Sequence, residues 1–135
     1  MKTNTYQLES INLIESFFKR EPEISYESDE FSSNIDIKSG YNIEDNKLLV
    51  MLEIEFYAGI PEKKQIIISV KMLGVFKKLN TEGISIDKFA KINAPAIIFP
   101  FIREHIATLS LKAGIYPILL PPINFVKLAE EKQDG

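Results

Sequence analysis

Few side chains in this chain of 135 residues could carry catalytic or metal-binding chemistry. The sequence contains no cysteine and one histidine, His105. A zinc site built on a single imidazole would need several carboxylate ligands beside it, which is a rare arrangement. Phe101 and Leu109 stand one helical turn before and after His105, so we interpret this imidazole as a packed or interface side chain. The sequence therefore predicts no metal site.

Glu53 and Glu55 are the other candidates, because they share one face of a predicted strand and could act as a general acid and base. Their alternation with Ile54 is, however, ordinary for a strand that has one solvated face. The serines lack a recognisable nucleophile motif, and the glycines are too scattered to form a phosphate-binding loop. We predict no catalytic residues, no cofactor and no enzymatic activity.

Composition indicates one folded domain that spans residues 1–135. Apolar residues make up 45% of the sequence and charged residues 26%, as in globular proteins. The net charge is −3, but residues 1–62 hold thirteen acidic side chains against five basic ones, whereas residues 63–135 hold six against eleven. Because an acidic first half repels phosphates, we predict no nucleic acid partner.

The sequence contains neither a recognisable secretion signal nor a membrane span. Its first residues lack the apolar stretch of a signal peptide, and no segment approaches the roughly eighteen apolar residues that a spanning helix requires. The absence of cysteine suits a reducing compartment. We therefore expect a soluble, cytoplasmic protein that does not insert into membranes.

Alternating apolar residues predict four β-strands, at residues 6–19, 35–43, 48–57 and 65–79. The phase of the alternation changes by one residue near Ser10, which predicts a β-bulge or a bend. An acidic connection over residues 20–32 carries Tyr26 and Phe31. Parts of the second face of the third and fourth strands are also apolar, so either a partner subunit covers that face or it binds another molecule.

A short helix at residues 84–92 and then a long helix are predicted after the strands. Asn93 is a good N-cap and Pro95 is tolerated in the first turn, whereas Pro100 should kink the helix or make it restart at Phe99. Apolar side chains recur on two faces of the long helix, at Ile98, Ile102, Ile106, Leu109 and Ala113 and at Ile97, Phe101, Thr108 and Leu111. A helix with two such faces is usually buried on both.

Gly114 is expected to end the long helix. Residues 115–122 contain three prolines, which predicts a stiff, extended loop. A final helix should begin at Pro122 or Asn124 and continue to Lys132. The predicted fold class is α+β, with a four-stranded antiparallel sheet, a long helix in the C-terminal half and a short final helix.

The second half of the chain carries motifs that resemble the SecB family of protein-export chaperones. Residues 99–104 read Phe-Pro-Phe-Ile-Arg-Glu, and Tyr116-Pro117 and then Pro122-Ile123-Asn124-Phe125 follow, as in that family. Gly74-Val75-Phe76 matches the Gly-x-Phe with which family members leave the fourth strand. The order of strand, long crossover, three strands, helix, proline-rich loop and helix also matches the family's fold.

The resemblance implies an ATP-independent holdase that binds unfolded or precursor polypeptides in long apolar grooves, for export through the Sec pathway. These grooves lie beside the crossover and the proline-rich loop. Carried over by position, the groove candidates are Tyr26, Phe31, Ile35, Ile37, Tyr116, Ile118, Leu120 and Phe125. Each of them could instead simply pack in the core, which is the interpretation we favour for Phe125.

Family members are homotetramers, dimers of dimers, in which the long helices pack between two sheets. This implies a subunit interface formed by Ile97, Phe101, His105, Thr108 and Leu111. Glu15 matches one of the acidic positions with which SecB proteins dock the motor ATPase SecA. Lys19 and Ser69, however, stand where further acids are expected.

Alternative functions therefore stay open. The chain could be a SecB-like chaperone of a toxin–antitoxin system, with an antitoxin as its partner instead of SecA. It could also be a non-catalytic adaptor subunit that binds one folded partner, or a small domain whose apolar cleft binds a lipid-like ligand.

Overall fold

Within residues 5–79 and 85–134, which the computed structural model describes, four antiparallel strands form a sheet in the order β1-β4-β3-β2. The strands are β1 (Tyr6–Arg20), β2 (Ser32–Glu44), β3 (Lys47–Ile60) and β4 (Lys63–Lys78). Successive residues of a strand point to opposite faces, so each strand has an inner face toward the helices and an outer face. The predicted α+β fold with a four-stranded antiparallel sheet is confirmed.

Strand β1 is irregular where it pairs with β4. Its register shifts between Leu8 and Ser10, as the phase change in the sequence predicted, and shifts again between Leu13 and Glu15. The second shift was not predicted. Each shift exchanges the residues that face inward and outward. As a result this edge strand leaves large apolar side chains about half exposed, namely Leu13, Ile14 and Phe17.

The long helix begins earlier than predicted. A helical turn α1 (Ile86–Lys88) continues through a π-helical segment (Phe89–Asn93) into α2 (Ala94–Lys112). The Ser85 side chain caps α1 by accepting a hydrogen bond from the Lys88 amide. The prediction of Asn93 as an N-cap was therefore wrong: its backbone is helical and its side chain makes no capping bond. The start of the predicted helix at residue 84 lies outside the described residues.

Helix α2 continues without interruption through Pro100, so the predicted restart at Phe99 is not observed. Proline removes one intrahelical hydrogen bond, which here leaves the carbonyl of Ala96 unpaired within the helix. Ala96 and Pro100 both lie on the exposed side of α2, where water can satisfy that carbonyl. Pro95 lies in the first turn of α2, as predicted.

One face of α2 forms the core with β3 and β4. Ile98, Ile102 and Ile106 are fully buried, together with the inward side chains of the two central strands. The helix approaches β4 so closely that a Cβ at Gly74 would lie 2.8 Å from Cδ1 of Ile98. The other predicted apolar face of α2 is exposed in the single subunit.

The chain after α2 follows the prediction. Gly114 has a left-handed φ of 70°, and residues 115–124 form an irregular extended loop, called the proline loop below. Helix α3 (Phe125–Asp134) follows, and the Asn124 side chain caps it by accepting a hydrogen bond from the Lys127 amide at 3.0 Å. None of the helices in the described part of the chain has the length and hydropathy needed to traverse a bilayer.

Candidate functional site

Aromatic side chains from distant parts of the chain meet at one end of the molecule. The Tyr26 ring lies between Phe31 and Tyr116, with ring centroids 5.2 and 4.5 Å away. The Tyr116 amide also donates a long hydrogen bond of 3.4 Å to the Tyr26 hydroxyl. Tyr116 remains 69% exposed, and the other two rings are half-buried. These rings, called the aromatic cluster below, join the crossover (residues 21–31) to the proline loop.

Local turns and a buried amide hold the crossover in place. The amides of Tyr26, Ser28 and Phe31 donate hydrogen bonds to carbonyl oxygens two or three residues earlier. The Gln65 side chain, which is buried in β4, accepts a hydrogen bond from the Ser25 amide at 2.9 Å and donates one to the Ser25 hydroxyl at 3.0 Å. The crossover is therefore folded onto the sheet, although the sequence predicted only an exposed connection.

The crossover and the proline loop form the two walls around the aromatic cluster. Both are attached to the C-terminal end of α2. The Arg20 guanidinium donates hydrogen bonds to the carbonyl oxygens of Glu21, Pro22 and Ala113, at 2.9, 2.9 and 2.7 Å. The Ser110 hydroxyl is buried and accepts a hydrogen bond from the Ile118 amide at 3.0 Å. Sequence reasoning missed Arg20 and Ser110, because a strand-end arginine and a helical serine give no local signal of such long-range contacts.

The remaining predicted groove residues divide by burial. Ile35 and Ile37 are half-buried on the inner face of β2, and Ile118 is half-buried in the proline loop. Leu120 differs from the prediction of a groove wall, since it is only 1% exposed and belongs to the core. Phe125 is 6% exposed and also belongs to the core, which agrees with the packing role favoured for it. Their side chains therefore present almost no surface to a bound polypeptide.

The predicted interface residues form an apolar stripe along the outward side of α2. Ile97, Phe101 and Leu111 are 38%, 47% and 65% exposed. Thr108 and His105 are half-buried within this stripe. The His105 Nε2 lies 2.8 Å from the Ser16 hydroxyl, so this imidazole connects α2 to β1.

The outer face of the sheet is mixed in character. Glu15 lies 3.6 Å from the Lys71 ammonium, which also lies 4.0 Å from Glu53. The hydroxyl of Tyr57 donates a hydrogen bond to Glu55, and this bond raises the pKa of Tyr57. The predicted docking carboxylate, Glu15, is therefore part of a charge network and not an isolated acid.

A cavity of about 280 Å³ lies between β2, the π-helical segment and α3. At one side, the Tyr41 hydroxyl donates a hydrogen bond of 2.7 Å to Asp87, whose carboxylate is 3.2 Å from the Lys91 ammonium. The hydrogen bond from Tyr41, and then the interaction with Lys91, lower the pKa of Asp87, while the same hydrogen bond raises the pKa of Tyr41. These contacts fix the start of the helix against β2.

The described residues contain no group of three or more His, Cys, Asp and Glu side chains arranged to hold a metal ion. The aromatic cluster offers apolar contact, since the Tyr116 ring is 69% exposed. The exposed cluster can bind hydrophobic side chains, and the acidic crossover beside it keeps the surrounding surface hydrated.

The family model described as "Preprotein translocase subunit SecB" matches residues 7–134. A protein-export protein SecB from Chromobacterium violaceum is 33% identical over 90 residues, which are 67% of this chain and 60% of that protein. An uncharacterized protein from Methanocaldococcus jannaschii, MJ0357, is 37% identical over 95 residues, with the same coverage. The match thus spans less than two thirds of the length of these relatives.

Among solved structures, the chain is similar to the Mycobacterium tuberculosis Rv1957 SecB-like chaperone, determined in complex with a ChAD peptide from the Rv1956 HigA1 antitoxin. The TM-score is 0.77 at 10% sequence identity, and the alignment covers 89% of this chain and 91% of that one. Because the sequence identity is so low, this structural similarity is evidence for a shared fold alone.

Proposed function

Since the chain belongs to the SecB family, we propose that it is a molecular chaperone that holds unfolded or precursor polypeptides in an apolar groove. The observation that carries this proposal is the aromatic cluster of Tyr26, Phe31 and Tyr116. Its rings stand together across the crossover and the proline loop while Tyr116 stays largely exposed. A contiguous group of exposed apolar side chains on a folded protein commonly marks a binding site for another molecule.

We propose that the groove extends from the aromatic cluster along Ile35, Ile37 and Ile118, which are half-buried. An unfolded polypeptide brings apolar side chains that are removed from water on contact, which stabilises the complex by roughly 25 cal/mol per Å² buried. Several weak contacts along one extended client add together. Because apolar burial supplies the free energy, holding a client needs no ATP.

We place the active assembly as a cytoplasmic homotetramer, a dimer of dimers. The support for self-association is the apolar stripe on α2, in which Phe101 is 47% and Leu111 65% exposed in one subunit. Strand β1 also carries half-exposed apolar residues, and it is an edge strand of the sheet that packs against α2. Burial of these side chains between subunits would remove them from water while leaving the aromatic cluster open.

The proposal is tested by light scattering of several unrelated proteins diluted from denaturant, with the chaperone present at one tetramer per client and no nucleotide. We expect the scattering of most of these clients to be suppressed. Addition of ATP should release nothing. If no client stays soluble, the holdase function is wrong and an adaptor with one folded partner becomes the better account.

The outer sheet face favours a second candidate, a SecB-like chaperone dedicated to an antitoxin. Glu15 is paired with Lys71, and Lys19 occupies an outward position on the same strand. The face therefore offers a basic partner less free negative charge than it would if Glu15 were unpaired and an acid stood at position 19. Measured binding to purified SecA distinguishes the two: an export chaperone binds it, and a dedicated antitoxin chaperone does not.

A further inference from the structure

Contacts that join the crossover to the proline loop converge on the last turn of α2. Arg20, the final residue of β1, bonds through Nη1 to the Ala113 carbonyl, while its Nε and Nη2 atoms bond to the carbonyls of Glu21 and Pro22. It thereby attaches the first residues of the crossover to the end of the helix. We infer that Arg20 is a positioning residue that sets the spacing of the two groove walls, an inference that rests on the proposed function.

The second wall is attached to the same turn. The Ser110 carbonyl accepts a hydrogen bond from the Ile115 amide at 3.3 Å, and the Ser110 hydroxyl accepts one from the Ile118 amide at 3.0 Å. Tyr116 lies between these two attachment points. The ring that meets Tyr26 is thus carried by a segment fixed on both sides, and its position relative to the crossover depends on the contact between Arg20 and the helix end.

The chemistry of this contact selects arginine. The last carbonyls of a helix have no intrahelical partner and carry the negative end of the helix dipole, so a cation beside them is favourable. The guanidinium is a planar fork whose donors point in different directions, and here they reach the carbonyls of Glu21, Pro22 and Ala113 together. A lysine ammonium keeps the charge, but as a single point it cannot hold the same three groups in a fixed geometry.

The consequence concerns binding more than folding. A groove whose walls are already fixed loses less conformational entropy when a client binds than one whose walls must first be ordered. Without Arg20, the crossover still has its own turns and the bonds between Ser25 and Gln65. The fold should therefore persist while the distance between the Tyr26 and Tyr116 rings varies, and client affinity should fall.

The test uses the full chain labelled with 3-fluorotyrosine, as wild type and as the Arg20→Gln and Arg20→Lys variants. Lys19→Gln is the matched control, because it removes a cation one residue earlier and Lys19 points to the opposite face of the sheet, with Ile67 and not Ile66 as its strand partner. Fluorine NMR reports the tyrosine environments. The dissociation constant is measured for reduced, carboxymethylated lactalbumin, which is permanently unfolded.

We expect both Arg20 variants to shift or broaden the signals of Tyr26 and Tyr116, to leave those of Tyr41 and Tyr57 in place, and to weaken lactalbumin binding by roughly 5- to 10-fold. Lys19→Gln should match the wild type in both measurements. Full rescue by lysine, or unchanged signals of Tyr26 and Tyr116 in Arg20→Gln, would overturn the inference.

Shifts that extend to Tyr41 and Tyr57 would also overturn it, since they would indicate a general change of structure. If the fluorine signals of Tyr26 and Tyr116 change while the dissociation constant for lactalbumin stays that of the wild type, the spacing of the walls does not govern client binding, and the inference is overturned. If the wild type itself binds no lactalbumin, the proposed function fails, and the fluorine spectra still decide whether Arg20 positions the two walls.

Discussion

Replacing Phe31 and Tyr116 together with serine is expected to weaken the capture of unfolded protein by roughly 100-fold, because buried aromatic contacts at interfaces contribute about 2 kcal/mol or more each. The two losses should not add fully, since both rings contact Tyr26. Each single variant should therefore lose more than half of the binding free energy that the double variant loses. The measurement is the dissociation constant for a permanently unfolded client, together with suppression of light scattering.

The control for this prediction is Tyr57→Ser. Tyr57 lies on the outer face of the sheet, where Lys64 stands 3.9 Å above its ring. Its replacement removes an aromatic side chain from the surface without touching the groove, so client affinity should remain that of the wild type. Circular dichroism and size-exclusion chromatography establish that the double variant keeps the fold and the oligomer. Loss of the oligomer instead would assign Phe31 and Tyr116 to packing.

Phe101→Asp is expected to dissociate the assembly. Phe101 is 47% exposed within the apolar stripe on α2, and an unpaired carboxylate buried between subunits costs several kcal/mol unless it finds a partner. Static light scattering of the wild type should give four times the 15.4 kDa mass of the chain, and that of the variant a smaller species. The monomer fold should survive, since Phe101 does not belong to the core of buried residues.

Arg103→Gln is the matched variant for this experiment. It changes the net charge by the same single unit, and its position is about 200° around the helix from Phe101, away from the stripe. We expect it to leave the mass unchanged. A Phe101→Asp protein that keeps the wild-type mass would show that the stripe is not a subunit interface.

Much of the fold could be predicted from local patterns. The inner face of β3 carries Leu48, Val50, Leu52 and Ile54 in strict alternation, and all four are buried in the structure. Gly114 and Asn124 also act at the helix ends as their residue types predict. These features depend on a few neighbouring residues, so a single sequence is sufficient to recognise them.

Other features depend on contacts that no local pattern encodes. The second register shift of β1 occurs among Leu13, Ile14 and Phe17, where apolar residues on both faces hide the alternation. The helix continues back past Asn93 because tertiary packing overrides the cap signal: Phe89 stacks on Tyr6 at 4.3 Å. A good cap residue does not start a helix that is already held by its neighbours.

The candidate site could be predicted only in part, because it too depends on contacts between residues that are distant in the sequence. The resemblance alone made Tyr26, Phe31 and Tyr116 groove candidates, and the structure brings their rings together. The burial of Leu120 was not distinguishable, since a loop has no fixed periodicity that assigns residues to a face. The contact between Arg20 and Ala113 joins residues 93 positions apart and leaves no trace in the local sequence.

The central claim is that non-native polypeptides bind at the aromatic cluster, and photo-crosslinking tests it most directly. The photoreactive amino acid benzoylphenylalanine is placed at position 116, or at position 57 as the control, and each protein is irradiated with one client in its unfolded and native forms. We predict crosslinks from position 116 to the unfolded form alone, and few from position 57. Equal yields from the two positions, or equal yields with the native client, would contradict the account.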